Sequence, residues 1–201
     1  MRSSNKIIAK LSLLSLISFA MLSAFAQEKP DAKLKIFQKE VGVVVVTSTS
    51  KVGTETLGSK NLGKFESGSV DVECIELIDP SSKKEICGIQ ITLNEMKPIE
   101  VDTSYVDYDE LGSLIKGIDY IAKKDKSIVK LDTFRAEYYT KGRLSISCSD
   151  GDDKTSCVVA SGDARLLCSM DDLEKFKSLL EKAKVKLDSI QGTNNSQINK
   201  P

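Results

Sequence analysis

Histidine and tryptophan are absent from this 201-residue sequence. Without histidine there can be no Ser-His or Cys-His nucleophile pair and no imidazole metal ligand. The side chain that ordinarily titrates near neutral pH is also missing. Any catalysis would fall to Asp, Glu, Lys, Tyr, Ser or Cys. No Gly-Lys-Ser/Thr follows Gly53, Gly58 or Gly63, so these glycines do not read as a phosphate loop. No Cys-x-x-Cys occurs, which removes the usual signature of a redox-active thiol pair.

What is present begins with an export signal. Arg2, Lys6 and Lys10 precede a run from Leu11 to Leu22 dominated by Leu, Ile, Phe, Ala and Ser. Ala24-Phe25-Ala26 then supplies the small-x-small pattern of a signal peptidase site. The run is shorter than the roughly 20 apolar residues of a membrane span. Residues 1–26 are therefore expected to be a cleaved signal peptide, and the protein to be periplasmic or secreted. No second apolar run follows, so no transmembrane segment is expected after signal removal. The first 26 residues hold three basic side chains and no acidic one, which leaves 26 basic against 29 acidic and a net charge of −3. A mildly acidic chain is a poor partner for nucleic acid, whose recognition draws on basic patches.

Periodicity gives the architecture. Residues 27–40 are polar and lysine-rich and are expected to be a flexible lead-in. Val41–Thr47 is a β-branched run, read as a buried strand. A ragged strand is expected around Val52–Leu57, followed by alternating strands over Ser69–Ile78 and Glu85–Leu93 joined by a turn at Asp79-Pro80-Ser81-Ser82. A short strand fits Ile99–Val101. Asp107 or Asp109 can cap a helix through Lys123, whose apolar stripe is Leu111, Leu114, Ile115, Ile118 and Ile121. Four more strands follow: Thr133–Tyr139, Arg143–Ser149, Thr155–Ser161 and Ala164–Cys168. Thr140-Lys141-Gly142 is read as a three-residue hairpin loop with Gly142 at positive φ, and Gly162-Asp163 as a two-residue turn. Ser169 caps a final helix with the stripe Leu173, Phe176, Leu180, Ala183 and Leu187. Residues 189–201 are expected to be a disordered tail. The chain thus reads as one α+β domain over 41–188, made of two tandem ββββα units, 41–123 and 133–188, with antiparallel sheets and two packed helices.

In element order, two such units resemble the architecture of the Whirly and PUR families, which bind single-stranded nucleic acid. The resemblance covers most of the exported part but extends to no motif, so it implies a topology and no binding residue. The segment Tyr105-Val106-Asp107-Tyr108-Asp109-Glu110, followed by Leu114-Ile115-Lys116-Gly117-Ile118-Asp119-Tyr120-Ile121, resembles an uncharacterised family of exported bacterial proteins. That resemblance implies no activity.

All five cysteines lie in the exported part, where an oxidising compartment favours disulfides. Cys74 and Cys87 face each other if the turn is centred on Pro80-Ser81, and a bridge is expected there. The later turns place Cys157 between Cys148 and Cys168 on adjacent strands, so one bridge forms. Cys148–Cys157 is expected, because it repeats the hairpin placement of Cys74–Cys87, with Cys157–Cys168 as the alternative. The leftover thiol, Cys168, would face the core as a small apolar group.

Other clusters are weaker. Asp150, Asp152 and Asp153 lack the later acidic ligand of a calcium loop, so neither a metal nor a cofactor is expected. Lys123-Lys124-Asp125-Lys126 reads as a polar link between the units. Tyr105, Asp107, Tyr108, Asp109 and Glu110 form an acidic-aromatic patch that can serve as a binding surface. No catalytic residue stands out. The expected function is a non-catalytic exported protein that binds another protein or a surface ligand in the cell envelope. A carboxylate-based hydrolase is the alternative, and nucleic-acid binding by architectural analogy a second one.

Overall fold

Val41–Ser50 carries no charge, and a chain so rich in β-branched residues favours extended structure. It feeds the first of eight strands described by the computed structural model, which covers residues 31–40, 42–58, 68–96, 99–123, 130, 134–150 and 155–198. The expected signal peptide, Gly63, the link at Lys124-Asp125-Lys126 and the acidic residues Asp152 and Asp153 lie outside these residues.

The order is α1 (Lys33–Gln38), β1 (Val46–Leu57), β2 (Gly68–Asp79), β3 (Lys84–Met96), β4 (Ile99–Asp107) and α2 (Tyr108–Lys123). Then come β5 (Arg135–Tyr139), β6 (Leu144–Asp150), β7 (Thr155–Ser161), β8 (Ala164–Cys168) and α3 (Met170–Ile198). Strands β1 to β4 form one antiparallel sheet in sequence order, and β5 to β8 a second. The fold is α+β, two four-stranded sheets each followed by a helix.

Three expectations are corrected at the ends of the chain. Residues 33–38 are a helix, not a mobile lead-in, because Ala32, Leu34 and Phe37 are buried. Val41 lies outside the described residues, and the rest of the run Val41–Thr47 is not a buried strand: strand structure begins at Val46, on an open sheet edge, where Val44 is 73% and Val46 47% exposed. The last helix continues to Ile198 and replaces most of the expected disordered tail.

The inner faces of both sheets belong to a single core. Val70, Val72, Ile89, Ile91 and Leu93 of the first sheet join Leu144, Ile146, Val159 and Leu166 of the second around α2 and α3. Each helix touches both sheets. α3 packs on β1 and β2, and α2 reaches β5 and β6. α3 starts as expected. Ser169 Oγ accepts the Asp172 N–H at 3.2 Å while the Asp172 carboxylate accepts the Ser169 N–H at 3.2 Å, a reciprocal capping box.

In the second sheet Cys148 opposes Cys157, Ile146 opposes Val159 and Cys157 opposes Cys168, as read from the turns. The first hairpin differs by two residues: Tyr138 opposes Ile146 and Ala136 opposes Cys148, around a three-residue loop at 141–143 that is closed by the Thr140 N–H to the Leu144 carbonyl at 2.9 Å, one position later than expected. A two-residue slip keeps every side chain on its face, so the core is unchanged. Arg143, not Gly142, takes the positive φ, at 72°. Gly142 is needed for closeness instead, because a Cβ there would sit 1.8 Å from the Tyr105 carbonyl oxygen. The 140–143 turn and the Gly162 turn both press on β4, where Ser104 and Ser161 share a buried 2.6 Å hydrogen bond.

Candidate functional site

The acidic-aromatic segment Tyr105–Glu110 lies where β4 runs straight into α2. Asp107 stands just before the first residue of α2, but its carboxylate serves another helix. Asp107 Oδ2 accepts the Lys33 N–H at 2.9 Å and Oδ1 accepts the Leu34 N–H at 3.1 Å. These are first-turn donors of α1, which have no partner inside their own helix. Asp107 is itself 2% exposed. Lys33 Nζ reaches Asp109 at 2.6 Å, and that hydrogen bond holds the Asp109 carboxyl below its ordinary pKa against partial burial.

Each neighbour has an internal partner as well. Tyr105 packs with Leu34, Phe37, Ile75, Leu77, Val45 and Ile86 in a small core on the outer face of the first sheet. Gly88 leaves room there for Leu34, whose Cδ1 would lie 2.6 Å from an added Cβ. Tyr108 donates its hydroxyl to Asp188 at 2.6 Å, which raises the phenol pKa, and Lys184 sits 5.7 Å over its ring. Glu110 Oε1 accepts the Lys141 N–H at 3.0 Å, while burial pushes its pKa up. The patch is the joint that docks α1, ties down α3 at Asp188 and holds the 140–143 turn.

A cleft of about 150 Å³ remains at this joint, lined by Lys33, Ile86, Cys87, Asp107, Tyr108, Asp109 and Gln191. It brings Cys87 to the acidic segment, which sequence spacing did not suggest. Gln191 Nε2 donates to Cys87 Sγ at 2.9 Å, but burial raises the thiol pKa. A protonated thiol without an activating base is a weak nucleophile.

The cysteine pairings divide. Cys148 and Cys157 Sγ lie at disulfide distance, 1.93 Å, on directly opposed residues. Cys74 and Cys87 do not face each other: Cys74 opposes Ile89 and Cys87 opposes Glu76. The expected bridge is corrected to two free, buried thiols. Asp79 sets the turn in place of Pro80, accepting the Ser81 N–H at 2.8 Å and the hydroxyls of Ser81 and Ser82. The four-residue loop that results moves the register by two. Cys168 is free and buried, and loss of water pushes its thiol up to about 12. Among the described residues no group of three or more metal-ligating side chains gathers.

Two other features stand apart from the joint. Glu76 and Glu85 meet diagonally across β2 and β3, and Glu76 is raised by burial and by its hydrogen bond with Glu85. On the outer face of the first sheet, Met96, Ile99 and Val101 are 57%, 84% and 61% exposed. Met96 opposes Ile99, and Val101 opposes Asn94, so all three side chains share that face. A polar network adjoins them: Thr92 bonds Thr103 at 3.0 Å, and Asn94 donates to Asp71 at 2.9 Å.

No family model matches the chain, and no solved structure matches it. A putative adenylate kinase of Methanococcus maripaludis (strain C7 / ATCC BAA-1331) is 30% identical over 76 residues, which is 38% of this chain and 38% of that protein. No helix among the described residues is long and apolar enough to cross a membrane.

Proposed function

We propose that this chain is an exported, non-catalytic protein that binds another protein or a surface ligand in the cell envelope. The observation that carries the reading is the exposed trio Met96, Ile99 and Val101 beside a hydrogen-bonded polar face. Apolar side chains clustered at such exposure mark interaction surfaces. The Tyr105–Glu110 segment is occupied by internal partners, which moves the proposed contact to the β3–β4 hairpin. The buried thiols and the absence of histidine support a role without nucleophilic chemistry. The partial likeness to an adenylate kinase adds no phosphate-binding motif, since the chain has no Gly-Lys-Ser/Thr.

The test compares the exported chain with an Ile99→Glu/Val101→Glu variant as bait for envelope material. Both positions are solvent-facing, so the variant should fold. The wild type should retain a component that the variant releases; equal recovery by both would remove this surface from the proposal. The N-terminus of the exported chain should be Gln27.

A second reading, a hydrolase using carboxylates, is favoured by the Glu76–Glu85 pair, because a carboxyl with a raised pKa suits a general acid. Turnover of ester or glycoside substrates that disappears in Glu76→Gln would establish it.

A further inference from the structure

We propose that β1 is a self-association edge, through which a second copy of this chain adds its own β1 in antiparallel register and extends the first sheet. β1 pairs only with β2 among the described strands, so its other edge has no strand partner there. Natural sheet edges of this length are blunted by charge, by proline or by cover from another element. Here Val46–Ser50 is uncharged, and Val46, Thr47, Ser48 and Thr49 are all exposed. The first blunting devices come later, at Lys51 and at the bulge between Lys51 and Gly53.

The other edges are protected. β4 is pressed by the 140–143 and Gly162 turns. β5 is five residues long with Arg135 and Glu137, and β8 is five residues long with Arg165.

Self-complementarity selects the occupant. A two-fold axis at Ser48 sets Thr47 opposite Thr49 of the second copy on the outer face, and Val46 opposite Ser50 on the inner face. Each pair occurs twice, and Ser48 meets its own copy. Thr–Thr pairs are favourable neighbours across antiparallel strands. Within β1 no like charges oppose each other, because the nearest charge of the strand, Lys51, falls across from Val45; Lys186 of α3 is bonded to Ser50 on the inner face, four residues along the strand from its own copy's site. An isologous contact of this kind closes after two copies and does not propagate. It is also small, so the dimer should dissociate on dilution. The inference is independent of the proposed binding at Ile99 and Val101.

Sedimentation of the purified chain over a dilution series tests it. A monomer–dimer equilibrium is expected. Ser48→Lys sets two ammonium groups against each other at the axis and should weaken the dimer at least about tenfold. At concentrations where both are monomeric, its thermal melt should match that of the wild type, since the site is exposed. Under mild oxidation, Ser48→Cys should cross-link to its own copy, whereas Glu55→Cys, on the same strand beyond the paired segment, should not. A wild-type chain that stays monomeric throughout overturns the proposal. So does a dimer untouched by Ser48→Lys, or cross-linking equal at both cysteine positions.

Discussion

Asp107 decides between two accounts of the acidic-aromatic segment, and Asp107→Ala separates them. If the segment is a free binding surface, the substitution leaves the fold alone. If it is the dock for α1, the helix loses the side-chain acceptor of its N-terminal donors. α1 is six residues long, too short to persist without tertiary support. Its N-terminal donors end on one carboxylate, through bonds of 2.9 and 3.1 Å. Hydrogen bonds to a charged acceptor contribute about 1.5–3 kcal/mol each. Loss of an N-cap costs about 0.5–2 kcal/mol in all, because water recovers part of what is lost. We take about 2 kcal/mol, which is roughly thirtyfold in the constant for opening α1 away from the sheet. Hydrogen exchange reads this directly, as faster exchange over residues 33–38 and a gain of apolar-dye binding as Ile75, Leu77 and Ile86 are uncovered. Asp109→Asn is the control. It removes an exposed ion pair with Lys33, with both side chains more than half exposed, and should cost no more than about 0.5 kcal/mol. Exchange in Asp107→Ala that equals the wild type would refute the docking account and return the segment to solvent.

Alkylation in denaturant without reductant should add three labels, at Cys74, Cys87 and Cys168; a single label would mean that Cys74 and Cys87 are bridged after all. Replacing both Cys148 and Cys157 by Ser opens a loop with a sequence separation of nine and should cost about 3 kcal/mol on the chain-entropy account, read by urea titration. Gly142→Ala drives a Cβ into the Tyr105 carbonyl and should destabilise by about 2 kcal/mol or more, whereas Gly112→Ala, in α2 with nothing within 4 Å, should stabilise by about 0.5–1 kcal/mol. Hydrogen bonds from Ser81 and Ser82 lower the Asp79 pKa to about 2. A depressed carboxyl contributes stability above its unfolded pKa of about 3.9 and loses it as pH falls toward 2. Acid titration of Asp79→Asn should therefore show a shallower loss of stability across that window than the wild type; identical slopes would count against the turn assignment.

The second half of the chain was legible because its turns are short and its apolar residues alternate cleanly. Gly162-Asp163 and the acidic turn near Asp152 fix two registers, and both match the structure. The third misjudged loop cost two residues and no face. The first sheet was harder. Its turn was assigned to Pro80, while Asp79 governs it through side-chain bonds that alternation does not reveal. The same two-residue slip leaves Val70, Val72, Ile89 and Ile91 in the core and yet separates Cys74 from Cys87. Faces survive such an error and specific pairs do not. α1 escapes the sequence reading because Ala32, Leu34, Ile36 and Phe37 stand among lysines in a stretch that reads as a solvated lead-in. A signal was available on the opposite side. Cys74, Ile75 and Leu77 are apolar on both faces of β2, as are Ile86 and Cys87 on β3. A strand apolar on both faces must be covered twice, and α1 is the second cover.

The repeat of pattern also misstates where each unit keeps its core. A ββββα unit over 133–188 implies that the stripe Leu173, Phe176, Leu180, Ala183 and Leu187 packs on the sheet before it. Its contacts run elsewhere. Met170 lies 3.2 Å from Cys157 at the start of α3, so the helix begins on the second sheet. Leu179 then reaches Gly53 of β1, Lys186 bonds Ser50, and Gln191 bonds Cys87. The helix leaves its own sheet and covers the first one along its length. That path carries it past the expected end of the helix: Ala183 lies at Cys74 of β2 and Gln191 at Cys87 of β3, partners that the sequence of the second unit cannot report. It follows that neither half holds a complete core. Residues 31–123 alone would leave Val72, Cys74 and Ile89 without α3, and residues 134–198 alone would leave α3 without β1 and β2. Each half expressed separately should lack a cooperative melt, and mixing the two should restore one. A half that melts cooperatively by itself would show that the bridging of both sheets by the helices is dispensable.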